Sequence, residues 1–405
     1  MRKIRKPIRW FLSLALVLGL FTIVDVNQSL QADPNIPVYS FNGQDVPFQQ
    51  ASIKRFFWGS LLSVTQKKTN EEALSFTTDQ ILNTLEVSES TVVTVTTPDQ
   101  KTVTFIGSQT LAFEDNGEVL VALDELDDNG SSFHYEFKVN VQTSPLIHFS
   151  TLSPSQGDVL IIEISNLRLN STLSVTSDFV PSAFLQTSHE GRFYLPMEYR
   201  KEAKSYPLAL TLNGVTTDFT LNLQPYDFHK DYFNIDPSLI KATSGNPTAV
   251  NQFKAVIYPL YDTAAPIEYW QGNFILPVGD VRISSGFGDM RFINGSTNPT
   301  RHGGIDYAVD CGTPVYASNA GLVEAATLLI LTGNTLVIDH GLGLKTLYEH
   351  MEDLSVEIGD VVEKGQLIGH VGSTGLSTGC HLHFQAMVKG QTINPMSLMN
   401  WITEN

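Results

Sequence analysis

Near the end of the chain, Gly379-Cys380-His381-Leu382-His383-Phe384 places two histidines two residues apart with an apolar residue between them. That alternation suits a β-strand better than a helix, because a strand turns successive side chains to opposite faces. His381 and His383 then share one face while Leu382 and Phe384 enter a core. A second pair stands upstream in Arg301-His302-Gly303-Gly304-Ile305-Asp306. His302 and Asp306 are four residues apart, so an extended strand again predicts both on one face. His302, Asp306, His381 and His383 can supply three ligands to a metal and leave one imidazole over. Neutral imidazoles with a carboxylate, plus one open position, are what a catalytic zinc ion takes.

The remainder of the chain reads as modular and β-rich. A length of 405 residues predicts two to four domains, and 42% hydrophobic residues supply their cores. A net charge of −17 excludes nucleic acid as a partner, since phosphate binding needs a basic surface. It equally opposes any surface-wide basic attraction to anionic membranes or wall polymers. The two cysteines, Cys311 and Cys380, are too few for a disulfide scaffold, and no CxxC motif marks a structural zinc site or redox dithiol.

The first residues carry a targeting signature. Arg2, Lys3, Arg5, Lys6 and Arg9 precede an uncharged apolar run over residues 10–24. As a helix this run spans roughly 22 Å, short of a ~30 Å hydrocarbon core. It predicts an export signal over residues 1–32, cleaved after Ala32, or else an uncleaved anchor in the cytoplasmic membrane. Leu30 fits the minus-three position poorly, and no cysteine follows the run to take a lipid. Either way the protein is expected to be exported, secreted or held at the membrane's outer face.

Residues 33–148 alternate apolar and polar positions in short runs, as in Thr91-Val92-Val93-Thr94-Val95. The cluster Asp127-Asp128-Asn129-Gly130 predicts a tight turn before the run at residues 133–139. One helical patch is expected around residues 79–85. Residues 149–226 repeat the pattern with some seven short strands, the scale of an immunoglobulin-like sandwich. Neither module holds a catalytic constellation, and His134, His148, His189 and His229 stand singly as structural or solvated residues. Residues 227–272, with breakers at Asp236-Pro237 and Gly245-Asn246-Pro247, read as a connector with a short helix at 248–258. From residue 273 glycines multiply and six of the ten histidines fall between 302 and 383, in short, densely turned strands.

An ordered set of fragments fills this last region. They are Ser285-Gly286-Phe287-Gly288, His302-Gly303-Gly304-Ile305-Asp306-Tyr307, Gly312-Thr313-Pro314-Val315 and Tyr348-Glu349-His350. Gly359-Asp360-Val361-Val362, Gly372-Ser373-Thr374-Gly375 and His381-Leu382-His383-Phe384 complete it. Together they resemble the lysostaphin-like (LytM-type) zinc metallopeptidases that cut peptidoglycan peptides, over about residues 273–398 of a domain expected at 273–405. With the segments read above, the chain is expected to be an all-β protein: export segment, β-sandwich-like modules, connector, and then the antiparallel-sheet peptidase domain that the resemblance implies. The resemblance also implies one Zn2+ held by His302, Asp306 and His383, with His350 and His381 as unbound catalytic histidines. The implied substrate is the stem or cross-bridge peptide of peptidoglycan, in wall remodelling or cell separation. Other readings are a non-catalytic wall-binding or hydrolase-activating protein and a zinc peptidase acting on a protein. Where the family often has proline, this chain has Cys380, which reads as a small filler, an oxidisable thiol or half of a disulfide with Cys311. His340 and His370 read as structural, the latter on a turn. Lys364 lacks the flanking methionine of a lipoyl site, so its stretch reads as a plain hairpin.

Overall fold

The computed structural model describes residues 36–57, 62–70 and 74–400. The export segment expected over residues 1–32 lies outside them. No helix among the described residues is long and apolar enough to cross a membrane. Strands dominate throughout, and the chain divides into two compact units, Met1–Pro145 and Leu146–Asn405.

In the first unit a four-stranded sheet accompanies a larger one whose centre is the hairpin of Gly117–Leu126 with Ser132–Val141. The alternation read from the sequence is visible in the burial. Val119, Val121 and Leu123 are buried with Phe133, Tyr135 and Phe137, while the intervening side chains are partly or fully exposed. The expected turn closes this hairpin, with Gly130 in the left-handed region at φ 79° and its N–H on the Asp127 carbonyl at 2.9 Å. The helix expected at residues 79–85 is absent. Leu82–Glu86 is a strand paired on both sides, with Asn83 and Leu85 buried and Leu82 and Thr84 exposed. So short a run cannot offset helix nucleation alone, and its period of two satisfies neighbouring strands instead.

The second unit begins with two facing sheets, one of four strands and one of three. Their inner residues Leu160, Ile162, Phe193, Tyr206, Leu208 and Leu221 form one core, the aligned-sandwich arrangement expected of alternating strands. The connector then contributes secondary structure to the C-terminal region. Its strand Lys230–Phe233 pairs in parallel with Met290–Ile293, and its helix Pro247–Ile257 is capped by the Asn246 side chain on the Thr248 N–H. Ile257 and Phe253 of that helix pack on Leu347, Val337 and Met387. Gly288, at φ 77°, lies under Phe228 so closely that an added Cβ would stand 2.1 Å from the ring. Only glycine fits there.

The C-terminal sheet runs in the order Ile283–Ser285, Ile305–Tyr307, Leu382–Val388, Leu344–Met351, Gly333–Gly341, Gly321–Leu329, Val361–Val362. Leu336, Ile338, Tyr348, Leu382 and Phe384 form its buried side. Its pairings set Asp306 opposite His383 and His383 opposite Glu349, so three chain segments meet in one row.

His340 is fully buried here, as a structural residue should be. Its Nδ1 meets the Ala320 carbonyl at 2.7 Å and its Nε2 the Thr346 hydroxyl at 2.8 Å. Burial pushes its pKa down to about 4. The folded protein therefore holds it neutral while the unfolded chain binds a proton near pH 6.5. Its contribution to stability is present above that pH and is lost as pH falls towards 4, a loss of about 3 kcal/mol. Urea unfolding between pH 7 and 4 should accordingly show a shallower decline for His340→Asn than for wild type. Equal slopes would refute the assignment.

Candidate metal centre and catalytic groove

Asp306 lies on the strand Ile305–Tyr307, and His383 on its neighbour Leu382–Val388. His302 is not on an extended strand with Asp306, contrary to the spacing argument. The strand Thr300–Arg301 ends before it, and the chain bends through Gly303 and Gly304. The bend requires glycine, because a Cβ at Gly304 would stand 2.3 Å from the Phe384 carbonyl and 2.9 Å from the His383 ring. His302 reaches the same point by this turn, so the four-residue spacing was right about the meeting and wrong about its cause.

Three ligand atoms converge. His383 Nδ1 lies 2.8 Å from Asp306 Oδ1, His302 Nε2 lies 3.1 Å from the same oxygen, and the two nitrogens are 3.0 Å apart. Ligand atoms at tetrahedral zinc, each ~2.0–2.1 Å from the ion, lie about 3.3 Å apart, close to this triangle. The donor set fits as well. His302 Nδ1 donates to the Gly286 carbonyl at 2.7 Å, which leaves the Nε2 lone pair facing the triangle. Asp306 offers Oδ1 inward while its Oδ2 takes the guanidinium of Arg291. His302, Asp306 and His383 therefore form a buried site able to hold a metal ion.

The two remaining histidines stand beside this triangle. His350 Nδ1 donates to the Thr374 carbonyl at 2.8 Å, and His381 Nδ1 to the Gly379 carbonyl at 2.8 Å. In both rings Nδ1 is committed to the backbone, and Nε2 is the nitrogen these carbonyls do not engage. The rings lie 4.8 Å apart, and His350 is 6.2 Å from the His383 ring. His350 itself adopts a left-handed backbone at φ 63°, an uncommon conformation costing about 1–3 kcal/mol. His381 precedes its strand and is held by an isolated bridge to Gly372.

Electrostatics separate these groups. Burial alone would push the Asp306 carboxyl up, but His302 and His383 packed against it hold it well below the usual carboxylate range. Burial, then the neighbouring His381 and His383, push His350 down to about 3. Burial lowers His302 also. Burial would lower His383 as well, yet the hydrogen bond to Asp306 and the nearby Glu349 carboxylate hold it above the ordinary imidazole value.

Of the open readings of Cys380, the structure selects the disulfide with Cys311, at a Cα–Cα distance of 5.1 Å. It ties the loop after the Asp306 strand to the residue before His381. His370 lies at the end of a strand, not on a turn, and pairs with Asp353 at 2.9 Å. Arg291, which supports Asp306, was not singled out from the sequence, because nothing local distinguishes it from any other arginine. Glu349 was quoted only as part of a motif, although it is buried opposite His383.

Comparison with known proteins concerns the same part of the chain. Residues 300–395 match Peptidase family M23, and this stretch is an M23 peptidase domain. The chain is 43% identical over 129 residues to the DD-carboxypeptidase/endopeptidase Mpg of Neisseria meningitidis, covering 32% of this chain and 30% of that protein. It is 40% identical over 115 residues to the peptidoglycan DD-endopeptidase ShyA of Vibrio cholerae, covering 28% of this chain and 27% of that one. The chain thus spans less than a third of the length of these curated relatives. Among solved structures, the catalytic domain of lysostaphin from Staphylococcus simulans is 34% identical, with 29% of this chain and 92% of that one covered and a TM-score of 0.27.

Two outcomes are expected. A metal ion binds the deprotonated ligand set, and the His383 pKa is held above the ordinary imidazole value, so apparent metal affinity should fall as pH falls. Chelator competition from pH 8 to 5 reads this directly, and a flat profile would contradict it. Replacing both Cys311 and Cys380 by serine should lower stability by up to about 4 kcal/mol, the loop-closure value for a loop of this size. Denaturant unfolding of the metal-free proteins measures that difference.

Proposed function

We propose that this protein is a zinc-dependent endopeptidase that hydrolyses amide bonds in the stem or cross-bridge peptides of peptidoglycan. The observation that carries the reading is the convergence of His302, Asp306 and His383 beside a pair of imidazoles whose Nδ1 atoms are held by backbone carbonyls. The relatives named as peptidoglycan DD-endopeptidases support the substrate class.

His302, Asp306 and His383 would hold the ion, with Arg291 keeping the carboxylate aimed. When bound, zinc supplies Lewis acidity towards the scissile carbonyl and makes hydroxide available at neutral pH. His350 and His381 do the proton work at Nε2. One imidazole takes a proton as water adds to the carbonyl carbon, and a proton is returned to the amine as the C–N bond breaks. The second proton of the water also passes to the leaving amine, so the products are a carboxylate and an ammonium and the chain's groups end as they began. His350, pushed down to about 3, is neutral at physiological pH, so its Nε2 can accept a hydrogen bond from the attacking water.

The same proposal places the protein outside the cytoplasmic membrane, exported through residues 1–32 or anchored by residues 10–24, and acting in wall remodelling or cell separation. The modular division at residues 33–148, 149–226, 227–272 and 273–405 belongs to it too.

Residues 33–405 incubated with purified peptidoglycan should release peptides whose masses name the bond cut. His381→Ala should keep its zinc while losing about 10²–10⁴-fold in kcat/KM. His302→Ala should lose both metal and activity. A zinc-loaded wild type that leaves the wall intact would end the peptidoglycan reading and move the search to protein substrates or to activation of another hydrolase.

A further inference from the structure

The connector strand Lys230–Phe233 lies outside the region matched to the peptidase family, yet it touches the metal centre's support. Its backbone pairs in parallel with Met290–Ile293 in a register that sets Asp231 beside Arg291. Both side chains face the site. Arg291 holds Asp306, while Asp231 Oδ2 accepts from the Ser285 hydroxyl at 2.8 Å. Ser285 Oγ in turn lies 3.4 Å from His302 Nδ1, next to the Gly286 carbonyl that takes the same N–H at 2.7 Å. Ser285 and His302 are both buried, so water does not compete for these contacts.

From this geometry we infer that Asp231 is a positioning residue of the metal centre, acting on His302 through Ser285. The inference rests on His302, Asp306 and His383 being metal ligands. By taking the Ser285 proton, the carboxylate turns the serine's lone pairs towards His302 Nδ1–H. That second acceptor fixes the ring plane and the tautomer in which Nε2 faces the ion. A partner in contact with a ligand, as Ser285 is with His302, tunes metal affinity, and Asp231 in turn fixes that serine. A chain begun after the connector would keep every family motif and lose this support. The connector is therefore part of the peptidase and not a spacer. His229 caps the arrangement, its Nδ1 2.9 Å from Asp231 Oδ1, and stands mostly in solvent.

The test is zinc affinity of the full chain, measured by chelator competition, with metal-free melting temperature recorded alongside. Asp231→Ala should bind zinc about 10–100-fold more weakly, the range typical of such outer partners. Asp231→Asn should recover most of the loss, because its amide oxygen still accepts from Ser285. Tyr232→Ala, at the neighbouring exposed position stacked on Phe292, should leave affinity unchanged. Should Asp231→Ala fail to fold, Ser285→Ala carries the same expectation. Where both fold, the double variant should lose no more than either single one. Affinity within about twofold of wild type in Asp231→Ala and Ser285→Ala overturns the inference, since measured outer-shell effects are tenfold or more. So does a second bound zinc that disappears in His229→Ala, which would make His229, Asp231 and Asp289 a metal site of their own. A wild type that binds zinc but spares peptidoglycan would defeat the proposed substrate while leaving this inference standing.

Discussion

The Asp306 carboxylate is where the C-terminal sheet and the candidate metal site meet, and its partner Arg291 lies in register with Asp231 of the connector. One of its oxygens receives two imidazoles and the other a guanidinium. A carboxylate so deeply buried is costly unless every lone pair is used. Here the compensation comes from Arg291 and His383, 15 and 77 positions away in sequence. The sheet order follows from that need, because only pairing of Ile305–Tyr307 with Leu382–Val388 brings His383 to it.

Around this point the backbone is fixed by contacts that forbid alternatives. Gly304 leaves no room for a side chain beneath Phe384 and His383, and Gly288 leaves none beneath Phe228. The disulfide holds the approach to His381, and His350 is kept left-handed at the end of its strand, its N–H on the Thr332 carbonyl at 2.9 Å. Functional groups placed this way reach their geometry before any ligand arrives, which lowers the cost of ordering them on binding. The connector extends the same scaffold by adding a strand at one side and a helix whose Ile257 packs near Leu347 and Met387.

Much of this was legible in the sequence. Strand alternation gave the sandwich core and the hairpin around Gly130, since period-two burial leaves a local trace. It failed at residues 79–85, where a brief apolar run is ambiguous and pairing with two distant strands decides. The ligand set was open on spacing alone, with four candidates for three places, and was narrowed by resemblance to a family. The reason His302 meets Asp306 was misread, because the glycine bend leaves the same four-residue interval that a strand would.

By itself the sequence determined the chemistry available: imidazoles, one carboxylate and glycines at the places where chain segments press together. Residue types and short intervals are local properties, and a chain carries them before it folds. Tertiary structure alone decided that Arg291 supports Asp306, that Cys311 and Cys380 pair, and that Asp231 reaches Ser285 from 54 residues away. Those contacts are set by sheet register and chain crossing. A hydrogen bond between distant residues imposes no periodicity on either segment, so nothing in the linear pattern announces it.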